Sequence, residues 1–392
     1  MSQLLNERWS ETKEALLEGL SGTRKQSMSV CLENTRRHLA ESASAGATSA
    51  GNIATLNRVI LPVIRRVMPT VIANEIVGVQ PMTGPVAQIH TLRVRYADNG
   101  DQVVAGEEAL SPFKIAAGYS GNDDSQNSPK ANSTAALEGT PGRRMSIQIL
   151  KAPVEAKSRK LSARWTFEAA QDAQAQQGID IEAEIMAALA QEITTEIDQE
   201  ILASLRSLAT VEEEYDQSLV SGTATFVGDE HAALAIQINR VANKIAQRTR
   251  RGAGNWAVVS NQALTILQSA TTSAFARTTE GTFEAPTNTK FVGTLNGAMR
   301  IYVDAYRPDE DDDNQVLIGY KGSSEADAAA FYCPYIPLMS SGVVLDPTTF
   351  EPVVGFLTRY GYVELTNTAS SLGNAADYLG KVKIVSSNVS FK

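Results

Sequence analysis

The sequence predicts an α+β fold, and three observations carry that prediction. Aliphatic residues recur every fourth position from Ile181 to Leu205, the mark of one long helix. Segments of alternating apolar and polar residues lie on both sides of it, as strands with one wet face require. Between Asn99 and Arg144 the chain turns rich in Gly, Ser, Asn, Asp and Pro, a composition that suits a long excursion and not a core.

Along the chain, residues 1–41 read as a charged amphipathic helical region with Trp9, Leu16 and Leu20. SASAGATSA, from Ser42 to Ala50, has the composition of a flexible linker. The stretch 58–85, RVILPVIRRVMPTVIANEIVGVQPMTGP, is apolar enough for a core. It nevertheless carries Arg58, Arg65, Arg66 and four prolines, which forbid a long regular helix. Its aliphatic residues need cover that an irregular path cannot supply, so it reads as an arm with part of its partner surface on another subunit. Gln88–Tyr96 alternates as a strand.

Beyond the polar excursion, Met145–Lys151 and Val154–Phe167 read as strands, and the excursion as the tip of a long hairpin. The long helix spans Ile181–Leu208, about 42 Å at 1.5 Å per residue, with Asp180, Glu182 and Glu184 favourably placed at its positive end. A strict four-residue step gains about 40° per repeat, so the seam winds around the helix and suits a broad curved surface. A second helix fits His231–Gln247 and a third Gln262–Ala270. Trp256–Ser260, Met299–Asp304 and Gln315–Gly319 read as strands, and the chain from Phe331 onward as mostly β.

With 392 residues, 43% of them hydrophobic, the chain can bury a large core and form two or more units. A net charge of −9 excludes a nucleic-acid binder built on a basic face. No apolar run approaches the roughly 20 residues that span a bilayer, and the N-terminal residues lack a secretory apolar core. Cys31 and Cys333 form neither a disulfide framework nor a metal spacing, which points to folding in a reducing cytosol.

A search for chemistry returns nothing convincing. His38, His90 and His231 stand apart from one another and from the cysteines, so no His/Cys metal site is expected. There is no P-loop, no G-x-G-x-x-G and no G-x-S-x-G elbow. Cys333, in FYCPYIP, reads as an inert buried thiol. Asp309–Asp313, DEDDD, could hold a hard cation, but a solvated turn between strands explains it better. No catalytic residue, cofactor or metal is expected. The remaining features (arm, excursion and mixed body) suit a subunit that contacts many neighbours.

Four segments carry a resemblance. AGATSAGNIATLNRVILPVIRRVMPTVIANEIVGVQPMTGPVAQIHTLRVRY (45–96) closely resembles the arm region of the major capsid proteins of T-even-type contractile-tailed phages. The likeness continues in EAKSRKLSARWTFEAAQDAQAQQGIDIEAEI (155–185). It returns in IGYKGSSEADAAAFYCPYIPL (318–338) and DPTTFEPVVGFLTRYGYVEL (346–365). The loop near 105–144 matches least and is too short for the inserted domain some members carry.

That family is similar in fold to the Hong Kong 97-type capsid proteins. The resemblance implies a propeptide-like or scaffold-interacting segment at 1–41, an N-arm at 42–95 and an E-loop hairpin at 96–167. It also implies a peripheral domain with a spine helix at 168–215 and 341–392, and an axial domain at 216–340. The implied function is self-assembly into hexameric capsomers of an icosahedral head enclosing DNA without sequence-specific binding, with no membrane involved. Whether the same chain also forms pentamers stays open, as do a paralogous pentameric vertex protein and an encapsulin-like compartment. Implied partners are other copies of the chain, vertex and portal proteins, scaffold, a prohead protease and decoration proteins. The place is the virion, assembled in the host cytoplasm. The family's processing pattern, Leu or Ile two residues before a Glu, fits Leu5-Asn6-Glu7, Leu16-Leu17-Glu18 and Leu39-Ala40-Glu41; the last, followed by the linker-like SASAGATSA, predicts cleavage between Glu41 and Ser42. Expected inter-subunit ionic contacts are Arg65, Arg66, Glu107, Glu108, Lys114, Arg143 and Arg144.

Overall fold

The structure, a computed structural model, describes residues 9–10, 13–14, 16–18, 20, 22–45, 71–100, 103–107, 109, 119–123, 129–139, 142–177, 180–216, 227–249, 251–269, 275–277, 290–304, 314–323, 327–349, 351–365 and 374–386. In chain order its elements begin with α1 (Gly22–Ala45), α2 (Ala73–Ile76), β1 (Gly78–Val79), β2 (Val86–Tyr96), β3 (Asn122–Asp123), β4 (Pro129–Lys130) and α3 (Thr134–Leu137). Next come β5 (Met145–Glu155), β6 (Lys157–Arg164), α4 (Phe167–Gln177), α5 (Ile181–Leu208), β7 (Val211–Asp216), α6 (Val227–Thr249), β8 (Trp256–Val259) and α7 (Asn261–Ser269). The last are β9 (Phe275–Arg277), β10 (Lys290–Leu295), β11 (Met299–Val303), β12 (Gln315–Gly319), β13 (Ala330–Ser340), β14 (Val344–Leu345), β15 (Pro352–Glu364) and β16 (Leu379–Ser386).

The fold is α+β, in two packed units. The first takes Met1–Ala87, Val154–Ser204 and Ala330–Val363; the second takes Gln88–Pro153, Leu205–Ala329 and Glu364–Lys392. In the first unit a five-stranded sheet runs β1-β13-β15-β14, with β6 also paired to β15. The β6–β15 ladder is antiparallel and unbroken from Val353 opposite Arg164 to Tyr360 opposite Lys157. Val354, Phe356, Thr358 and Tyr360 alternate inward along β15, the two-residue period of a sheet with one covered face.

Helix α5 runs from Ile181 to Leu208, as the four-residue spacing predicts. Its seam is buried from Leu189 through Ile193 and Ile197 to Ile201. Asp198, also buried, accepts a hydrogen bond from the backbone N–H of Ile72 at 2.9 Å and so fixes the start of the short α2 turn. On the exposed flank of the helix, Arg159 of β6 donates from Nε to the Tyr360 hydroxyl at 2.6 Å and from Nη1 to Glu196 at 2.7 Å. Its Nη2 donates to Glu200, which also accepts from the Tyr360 hydroxyl.

In the second unit a seven-stranded mixed sheet runs β7-β16-β12-β8-β11-β10-β9. Strand β8 lies between antiparallel β12 and parallel β11 and is buried at every residue. Leu234, Ile238, Val241 and Ile245 of α6 pack into the core of this unit with Ile266 of α7 and with Val259, Ile301, Val316 and Val382. Gly319 lies against Trp256; a Cβ there would meet the indole Cζ2 at 2.1 Å, so no larger residue fits beside that ring. The buried carboxylate of Asp304 accepts from Arg206 Nη2 at 2.7 Å. Breaking such a pair by removing one partner costs about 3–5 kcal/mol, because the other charge is left buried alone.

The structure departs from the sequence reading in two places. Ser42–Ala45 are the last residues of helix α1 and not linker; the segment's alanines favour helix while its serines suggested a loop. Phe167 opens helix α4 instead of closing a strand, and the Thr166 hydroxyl accepts from the N–H of Ala169 at its start. The segment 341–392, read as mostly β, contributes strands to two sheets. β14 and β15 join β13 in the first unit, whereas β16 pairs with β7 and β12 in the second.

The Arg159 cluster yields a pH prediction. Burial would raise the Glu200 carboxyl, but hydrogen bonds from Arg159 and Tyr360 outweigh it and hold it below the usual 4.5. A carboxyl so lowered stabilises the fold above its unfolded value, and that stability is lost as pH falls through the folded one. The side chains are partly exposed, so solvent screening limits the network to about 1 kcal/mol. Arg159→Met therefore costs about 1 kcal/mol at pH 7 in urea unfolding, and the difference from wild type shrinks below pH 4.5. A difference independent of pH contradicts this reading.

Candidate functional site

Among the described residues no three His, Cys, Asp or Glu side chains converge as a metal site, and Asp309–Asp313 lie outside them. His90 is exposed on β2, and His231 Nδ1 lies 2.5 Å from the Ser269 hydroxyl, joining α6 to α7. Burial pushes the Cys333 thiol up to about 12, which keeps it protonated and inert. A groove of about 360 Å³ is lined by Lys160, Leu161, Met339 and Phe356, with no acid–base pair among its lining residues.

The arrangement that remains is one of surfaces. Strands β2 and β5 form a two-stranded ribbon of their own. Ala97 N–H donates to Arg144 O at 3.0 Å and the Ser146 hydroxyl approaches Arg95 O at 3.5 Å, so the strands run antiparallel. On β5, Met145, Ile147 and Ile149 share one face by the two-residue period and are 51%, 68% and 61% exposed. Ser146 and Gln148, on the other face, are exposed too. A stretch of two-stranded ribbon exposed on both faces, as β5 is from Met145 to Ile149, is marginal in water.

The end of the ribbon is tied together locally. Tyr96 and Tyr119 pack with ring centroids 4.5 Å apart, beside Val103 and Ala109. The Tyr119 hydroxyl donates to Arg144 O at 2.5 Å. Arg144 donates through Nη2 to Asp98 at 3.0 Å and through its backbone N–H at 2.7 Å. These hydrogen bonds hold the Asp98 carboxyl below its usual range.

The predicted contact residues fall unevenly. Arg144 is engaged by Asp98 of its own chain, and Arg143 stacks over Tyr119 at 5.7 Å. Glu107 closes a turn, its carboxylate 3.4 Å from the N–H of Val104. Arg65, Arg66, Glu108 and Lys114 lie outside the described residues. Glu41 and Ser42 lie on the final turns of α1.

The N-terminal segment was the larger surprise for sequence reasoning. Helix α1 packs against β13, and Met28, Cys31 and Leu32 are buried. Full burial of a side chain such as Met28 or Leu32 is worth about 1.5–3 kcal/mol. Asn34 donates from Nδ2 to Met82 O at 2.6 Å and to Tyr335 O at 3.1 Å. Outside the helix, Trp9 Nε1 donates to Glu33 at 3.3 Å, and Arg36 lies over the Trp9 ring. The helical spacing of Met28, Cys31, Leu32 and Thr35 was a signal for this stripe; the partner of Asn34 had none. The arm from Val71 to Val79 is also buried in its own unit, with β1 parallel to β13.

Comparison with known proteins gives a consistent result. A family model described as "Major capsid protein Gp23" matches residues 53–140 and 128–384. The major capsid protein of Vibrio phage KVP40 is 28% identical, with 95% of this chain and 96% of that one covered. That of Salmonella phage ViI is 30% identical over 83% of this chain and 80% of its own, and that of Enterobacteria phage T4 is 29% identical over 81% and 77%. Solved structures similar to this chain include the capsid of the cyanophage P-SCSP1u, at TM-score 0.46 and 10% identity over 81% and 89% of the two chains. Another is the capsid of Myoviridae phage XM1, at TM-score 0.43 and 9% identity over 79% and 89%.

Proposed function

The chain belongs to the Gp23 major capsid protein family, and on that premise we propose how its surfaces build a shell. As a member it is a structural protein of the tailed-phage head, a component of the virion and not an enzyme, and it self-assembles. The finer reading is a Hong Kong 97-type subunit. The first unit, with its arm and most of α5 as spine helix, takes the peripheral role; the second takes the axial role. The β2–β5 ribbon is the E-loop and lies across a neighbouring subunit.

The observation that carries this is the ribbon itself, two-stranded and apolar on a face that its own chain leaves exposed. A neighbour's surface supplies the third layer that such a ribbon needs. Hexamers are the proposed capsomer, with scaffold, portal, vertex and decoration proteins as further partners, and the acidic charge suits a shell that encloses DNA without reading it. Ile147→Asp should shift the stability of the isolated chain by no more than about 0.5 kcal/mol, while capsomer formation, followed by analytical ultracentrifugation, is lost. Normal assembly of that variant contradicts the proposal.

Processing between Glu41 and Ser42 completes the reading. That bond lies in helix α1, so a protease must unwind the helix end to reach it. Edman sequencing of the subunit from DNA-filled heads should begin at Ser42; a sequence beginning at Met1 contradicts it.

A further inference from the structure

We propose that the N-terminal segment is held on strand β13 by its side chains and not by its covalent link to the rest of the chain. Cutting the backbone beyond the buried stripe then leaves the segment seated, and a separate displacing event must remove it. The inference holds for any cut on the C-terminal side of the stripe and does not depend on Glu41 being the natural site.

Three observations support it. The anchors lie well before the end of α1: Ser27, Met28, Cys31, Leu32, Asn34 and Thr35 are all buried, on a helix that runs on to Ala45. The contact is also polar and specific. β1 pairs with β13 only at Phe331 and Tyr332, so the carbonyl of Tyr335 lies beyond that ladder. Asn34 supplies its donor and also that of Met82 O, and Cys31 Sγ approaches Pro334 O at 3.9 Å. Losing the helix would strip a donor from the buried Met82 carbonyl and from the part-buried Tyr335 carbonyl, which is costly. Finally, Arg24 pairs with Glu75 beside the α2 turn, so the grip extends past β13.

The chain carries its own reporter, because Cys31 and Cys333 are its only cysteines and both are buried. A protease recognition sequence inserted between Ala45 and Gly46 allows the full chain to be cut under native conditions. After cutting, the segment should co-elute with the remainder on size exclusion, and Cys31 should react with a maleimide at least tenfold more slowly than in the urea-unfolded chain. Asn34→Ala in the same background should release the segment faster on dilution, by tenfold or more. Arg37→Ala, on the exposed side of the helix, should not. A circular dichroism spectrum of each uncut variant separates weakened docking from failure to fold. Immediate separation of the wild-type segment, with Cys31 reacting at the rate of the unfolded chain, overturns the proposal. So does equal retention of the Asn34→Ala and wild-type segments.

Discussion

Strand β13 sets the constraint on which the first unit depends. It carries Pro334 and Pro337 inside a sheet, and each proline removes a ladder donor. Its carbonyls keep their full capacity to accept, and where buried they must find donors, since a buried carbonyl left bare is expensive. Tyr332 O and Pro334 O accept from the N–H groups of Gln80 and Met82 at 3.0 Å. Tyr335 O accepts from Asn34, and Ile336 O from the Thr358 hydroxyl at 3.2 Å. One strand thus draws together the N-terminal helix, the end of the arm and β15. The arm, whose prolines and arginines made its packing hard to place, buries Val71, Ile72, Ala73, Ile76, Val77, Val79 and Met82 in its own unit.

The β2–β5 ribbon, by contrast, leaves the Met145–Ile149 stretch of β5 without such closure. Its strands bond to one another and its end is locked by Tyr96, Tyr119 and the Asp98–Arg144 pair. Yet Met145, Ile147 and Ile149 remain outward. A protein that leaves one element incomplete while over-determining another divides its work between folding and assembly. Membership of a capsid family gives that division its purpose.

What could be read in the sequence was whatever repeats locally. The seam of α5 was legible to both ends because an aliphatic residue at every fourth position, sustained along a 28-residue element, fits a helix and no strand. Strands β8, β11 and β12 were legible as short aliphatic runs with turn residues on each side. Contacts between distant residues were not. Asp198 and Ile72 are 126 residues apart, Asn34 and Tyr335 301 apart, and neither pair leaves a local pattern. Arg144 and Asp98, 46 residues apart, form another such pair. The function came from long matched segments and not from chemistry, because a shell protein concentrates no reactive groups for spacing to betray.

The central claim is that the ribbon finds its missing layer on another copy of the chain. Electron cryo-microscopy of particles assembled from the expressed protein tests it most directly. The account predicts shells or capsomers in which Met145, Ile147 and Ile149 of each subunit are buried against its neighbour. Particles in which those three side chains remain exposed to solvent, or pack on their own subunit, would contradict it.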